Sequence, residues 1–158
     1  MKQQKSQVLI EFALIFPLFL LLVFGIFLFG SIFADYLTLS TIARNSAREA
    51  SVIMVKEESQ RQAECDNVRA KYKDYRLPLD VYRWDPKDTN DFYIKADSNN
   101  HNIIVTIHAE LNENGTMFAK LVDDLSDSVS DDPNALDLNI TYTMYSENNS
   151  NFAHLKPL

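Results

Sequence analysis

Phe12 to Ala34 is a run of 23 residues without a charged side chain, and 19 of them are apolar. Nothing else in the chain limits its fold as strongly. A helix rises about 1.5 Å per residue, so the run reaches about 34 Å, enough for a hydrocarbon core of roughly 30 Å. Whole-chain averages hide this. A mean hydropathy of -0.19 and a net charge of -7 belong to an ordinary soluble acidic domain. The split composition excludes a fully cytosolic soluble protein. No second run of this kind exists, which excludes a polytopic channel or transporter.

The flanks give a direction. Lys2 and Lys5 precede the run and Asp35 follows it. Positive charge stays cytoplasmic, so the N-terminus is expected inside and the rest of the chain outside, anchored by one pass. The run exceeds the ~7–15 residues of a cleaved secretory h-region, and Gly30-Ser31-Ile32-Phe33-Ala34 holds no clean small-x-small site, so a retained anchor is expected. Val8, Leu9 and Ile10 extend the apolar stretch, so Glu11 lies inside it, where an ionisable group costs a few kcal/mol unless paired. It is either a first-turn carboxylate favoured by the helix dipole or one awaiting a cationic partner. Pro17 removes one backbone donor and loosens the helix near its start. Gly25 and Gly30 are not spaced as a GxxxG face and read as plain membrane-helix glycines.

The segment Lys5-Ser6-Gln7-Val8-Leu9-Ile10-Glu11-Phe12-Ala13-Leu14-Ile15-Phe16-Pro17 resembles the start of a class III signal cut by a prepilin peptidase. Together with Ile42-Ala43-Arg44-Asn45-Ser46-Ala47-Arg48-Glu49-Ala50, it resembles TadE-like pseudopilins of the tight adherence (Flp) pilus system. The resemblance covers residues 5–50. It implies a scissile bond between Ser6 and Gln7, an assembly role for Glu11, Phe12 and Pro17, and helix packing through Ala43, Ala47 and Arg48. The family usually has Gly before the cut, where this chain has Ser6. Implied partners are the prepilin peptidase, a TadF-like pseudopilin, the major pilin and the inner-membrane assembly platform. The TadF-like family shares the leader, and the Ala43–Ala50 run leans toward TadE.

The implied function is that of a membrane-inserted pseudopilin or minor pilin acting in pilus assembly and cell adhesion. It would sit in a bacterial inner membrane with its C-terminal domain periplasmic or extracellular, and could enter the fibre. Two alternatives are an anchored periplasmic binding or sensing domain and a minor pseudopilin of type II secretion. Cutting before Gln7 would remove Lys2 and Lys5 and create an amine four residues from Glu11, close to one helical turn. The same amine on a staggered neighbour could pair with Glu11 and set register.

Beyond the membrane, Leu39, Ile42, Ala43, Ala47, Ala50 and Met54 recur every three to four residues. Charges of both signs follow from Lys56 to Arg76, with Glu57 and Arg61 in the favoured i,i+4 order, and the helix is expected to stop at Leu77-Pro78. After Pro78 the period becomes two. Leu79–Trp84, Phe92–Ala96, Ile103–His108 and Leu136–Met144 read as strands, the middle two joined through Ser98-Asn99-Asn100-His101. Met117, Phe118, Leu121, Val122 and Leu125 predict a short amphipathic helix. The expected fold is α+β: a long helix packed on a small antiparallel sheet with one short extra helix, as in pilins. The expected organisation is a leader (1–6), a transmembrane helix (7–34), a helix extension (35–77) and a sheet domain (78–158).

Other chemistry is not indicated. With a single cysteine, Cys65, neither an internal disulfide nor a Cys-based zinc site can be built. Cys65 reads as an inert surface thiol, or one joining two chains. Three glycines cannot form a phosphate-cradling loop. From Asp35 onward 13 Lys and Arg face 21 Asp and Glu, which opposes nucleic-acid binding. His101, His108 and His154 lack metal-ligand spacing. Asp123, Asp124, Asp127, Asp131 and Asp132 read as a solvated acidic loop, with calcium binding the alternative. No nucleophile–base–orienter set is present, so no enzyme activity, cofactor or metal is expected.

Overall fold

Leu, Phe, Ile and Ala dominate the first fifty residues and favour a helix, which hides every backbone group where water is absent. In the computed structural model this is α1 (Lys2–Ile53), which passes through Pro17 without a break. The structure describes residues 2–53, 58–97, 102–130, 132 and 134–146, with side chains in α1 from Leu9 onward. Met54, Glu57, the turn 98–101, Asp131 and His154 lie outside that set.

The order continues as α2 (Glu58–Ala70), β1 (Tyr82–Arg83), β2 (Phe92–Asp97), β3 (Asn102–Leu111), α3 (Met117–Val129) and β4 (Leu138–Tyr145). β3 is the spine of an antiparallel sheet. β2 pairs with it from Phe92↔Ile107 to Asp97↔Asn102, and β4 from Asn102↔Tyr145 to Ala109↔Leu138. β1 meets it at Leu111 and Glu110, past the end of the β2 pairing.

Alternation sorts the two faces. Ile103, Val105, Ile107 and Ala109 of β3 are buried, opposite Phe92 and Ile94 on one side and Ile140 and Tyr142 on the other. The outer face is half polar, and Thr106 and Thr141 hydrogen-bond across it at 3.2 Å. Over the inner face lies the second half of α1, whose buried stripe is Asp35, Leu39, Ile42, Ala43, Ser46, Ala47, Ala50 and Ile53. Three alanines in that stripe bring backbone and sheet close together, and each large side chain, such as Leu39, contributes about 2 kcal/mol on burial. Trp84, Phe92 and Tyr72 close one end of the core, the first two with ring centroids 5.6 Å apart.

The expected α+β pilin-like layering is present. Three details differ from the expectations. The helix expected to reach Leu77-Pro78 is two helices, because α1 ends at Ile53 and α2 folds back on it. Lys71, just beyond α2, pairs with Glu49 of α1, 22 residues earlier, so the chain turns back between them. Folding back buries Cys65 and Val68, which a straight extension would carry past the sheet into water. Among the described residues α2 and α3 thus accompany α1. Third, the acidic stretch is not a loop over 123–129. The apolar spacing of Leu121, Val122 and Leu125 keeps it helical through Val129, with Thr116 Oγ1 capping the Ala119 N–H.

Candidate functional site

Two regions carry chemistry that the fold does not consume: the exposed lower half of α1, and the junction where α1 meets the sheet. From Leu9 to Phe27 no side chain of α1 is buried. Phe12, Leu14, Leu18 and Leu21 are each more than 60% exposed. This part of α1 is long and apolar enough to cross a membrane. Phe12 and Phe16 stack at 5.4 Å, forming one side of an apolar surface that contains Glu11, itself exposed. A Cβ on Gly25 or Gly30 would meet open space, so neither glycine serves close packing within the chain. Ser6 and Gln7 lie on the first turns of α1, and their side chains are outside the described set.

At the junction sits a residue whose role was not expected. Asp35 reads in sequence only as the first charge after the apolar run. In the fold it is fully buried. Its Oδ1 accepts from the Leu79 N–H at 3.1 Å, and its Oδ2 from the Val81 N–H at 2.8 Å and the Tyr82 N–H at 3.4 Å. Asp80 takes φ 53 at the bend that turns these donors toward the carboxylate. Behind the bend, Thr116 Oγ1 donates to the Leu79 carbonyl at 2.9 Å and the Asn112 N–H to the Val81 carbonyl at 2.9 Å. Burial, with Asp137 and Asp35 adding like charge, pushes the neighbouring Tyr82 hydroxyl up to about 12. A carboxylate accepting several backbone N–H groups is a strong local tie. One cue was present in the sequence: a lone Asp in phase with Leu39 and Ile42 on the buried stripe.

The other residues singled out are scattered. Ala43 and Ala47 are fully buried under the chain's own sheet, so their packing is internal. Arg48 is exposed and lines the groove between α1 and α2 with Glu49, Glu64 and Lys71. Its neighbour in the run, Arg44, lies over the Tyr142 ring at 5.6 Å. Cys65 is a buried free thiol, not a surface one. Burial, then the Asp66 charge, pushes it up to about 11. His108 stands between Asp91 and Asp137, its Nδ1 3.8 Å and Nε2 3.7 Å from their oxygens. Among the described residues no group of three or more His, Cys, Asp or Glu is arranged to hold a metal ion.

No curated protein and no solved structure matches the chain. The family model described as TadE-like protein does, over residues 7–48. That stretch begins at Gln7, contains Glu11, Phe12, Pro17, Asp35, Ala43, Ala47 and Arg48, and stops inside α1 before any of the sheet. The match covers 42 of the 158 residues, so it is in this helix that the chain is similar to TadE-like proteins of the tight adherence pilus system.

Proposed function

We propose that this chain is a pseudopilin or minor pilin that takes part in assembling a tight-adherence-type pilus after a prepilin peptidase cuts between Ser6 and Gln7. One observation carries the reading: the TadE-like match falls on a helix whose first half buries none of its own side chains from Leu9 to Phe27. Such a surface needs lipid, or the helices of other pilins, around it. The second half of the helix is already covered by its own sheet. The division gives each half one task, insertion below and presentation of the sheet above.

In this reading the new amine of Gln7 and the Glu11 carboxylate neutralise each other at the membrane edge, within one chain or between staggered neighbours. The partners are the prepilin peptidase, a TadF-like pseudopilin, the major pilin and the inner-membrane platform. The leader is cytoplasmic and the sheet faces the periplasm.

Mass spectrometry of the protein extracted from membranes tests the processing step. A mature N-terminus at Gln7 supports it, and an intact Met1 refutes it in favour of a plain anchor. Glu11→Gln tests the register step: insertion should be unchanged and co-purification with pilin partners lost. Unchanged co-purification would remove Glu11 from the mechanism.

A further inference from the structure

α3 does not sit high on the sheet, away from the membrane. Its Phe118 ring stacks on Phe27 of α1 with centroids 6.5 Å apart. Its Val122 and Leu125 share an apolar groove of about 290 Å³ with Leu28, Phe29 and Ile32. All four of those α1 residues belong to the uncharged run 12–34. A helix carrying Lys120, Asp123, Asp124 and Asp127 is therefore fastened beside residues that composition alone assigns to the hydrocarbon. The charges cannot follow into the core at tolerable cost.

One arrangement reconciles the two. Met117, Leu121 and Leu125 lie four residues apart on a single stripe of α3 and are 76%, 38% and 54% exposed. The stripe borders Phe118, the residue turned toward Phe27. At 100° per residue Asp123 and Asp127 fall on the other side of the helix, and Asp124 lies at the edge of the stripe beside Met117. We propose that α3 lies in the outer membrane–water interface, with Met117, Leu121 and Leu125 in the acyl boundary of the lipid and its acidic side in water. The occupant of this stripe is lipid because the stripe is continuous, through Phe118 and Phe27, with the membrane-crossing surface of α1.

The boundary of the hydrocarbon moves accordingly, from Ala34 down to Phe27. Residues 8–27 still reach about 30 Å, the thickness required. Residues 28–34, counted as membrane by composition, become the foot of the sheet domain. Because α3 carries Asp123, Asp124 and Asp127 against Lys120 alone, it suits a zwitterionic surface better than an anionic one.

The inference rests on α1 crossing the membrane, and the test separates the two claims. The full-length chain is reconstituted in phosphatidylcholine vesicles containing lipids brominated on the acyl chain near the headgroup or near the bilayer centre. Single tryptophans are placed by Leu121→Trp, Leu125→Trp, Asp127→Trp and Phe19→Trp. Each is compared with the unsubstituted chain, whose one Trp, Trp84, is buried in the core. The expected result is several-fold loss of emission at 121 and 125 with the shallow bromines, little loss at 127, and loss at 19 with the deep ones. Quenching at 19 without quenching at 121 and 125 would overturn the proposal while leaving the membrane helix in place. No quenching at 19 would remove the membrane helix and the proposal together.

Discussion

Asp35 shows how much one side chain can hold. Three backbone N–H groups point at its carboxylate, and without it two or three buried donors lose their partner. Asp35→Ala is expected to lower stability by about 3 kcal/mol, and Asp35→Asn by less, since one amide oxygen still accepts. Denaturant unfolding of the full chain in detergent micelles measures both; a loss within ±0.5 kcal/mol for the alanine variant would contradict the tie. Cys65 makes the opposite case. With the thiol held near 11 and fully buried, only about 0.1% is thiolate at pH 8, so an aromatic disulfide reagent should not react with the folded chain over minutes. In denaturant it should react at once. Rapid reaction of the folded chain would show that α2 opens away from α1.

Within elements, the bend at 79–82 and the turn before α3 are built against each other. A Cβ on Gly115 would lie 2.4 Å from the Asp80 carbonyl oxygen and 2.9 Å from Ala119 Cβ. Gly115→Ala must displace backbone, and is expected to cost about 2 kcal/mol. Because it shifts the same bend that Asp35 holds, the double variant with Asp35→Asn should be non-additive in a thermodynamic cycle. On the sheet, burial raises the Asp137 carboxyl above its ordinary range, with Glu110 and Asp132 adding to it, while His108 and a backbone hydrogen bond from Leu111 act against it. The folded state thus holds that proton more tightly than the unfolded one. The stabilisation is fully present below the ordinary carboxylate range and is lost as pH rises through the elevated value. Asp137→Asn should therefore raise Tm at pH 7, with the gain shrinking as pH falls toward 4. Parallel thermal melts decide it, and a gain independent of pH would refute the assignment.

For the whole molecule, every described side chain of α1 that is buried lies at Ser31 or beyond. A chain beginning at Leu28 and kept in detergent should retain its near-ultraviolet dichroism and its sheet, and loss of both would mean that the lower helix supports the fold.

The same division explains what could be read in advance. A 23-residue uncharged run and clean two-residue alternation in β3 and β4 are local signals, and both led to the right elements. Asp35 misled because burial of a charge depends on donors 44 to 47 residues away. The fold-back of α2 was hidden in a helix with few apolar residues, where Cys65 and Val68 become informative only once α1 is beside them. The acidic half of α3 looked like a loop because Asp and Ser are weak helix formers. Its apolar spacing outweighed them. The assembly role expected of Glu11, Phe12 and Pro17 came only from resemblance to a family, since from Leu9 to Phe27 no side chain of α1 is buried in the chain itself.

Consider, finally, where a mechanical load would enter. A pull along α1 toward its N-terminus reaches the sheet domain first at the foot of the helix, and there Asp35 grips the bend before β1 by several hydrogen bonds at once. Bonds that share a load fail together and not in sequence, so the grip resists more than any single contact would. Drawn by its helix, the molecule should travel as one rigid piece, with the sheet following the helix instead of peeling from it.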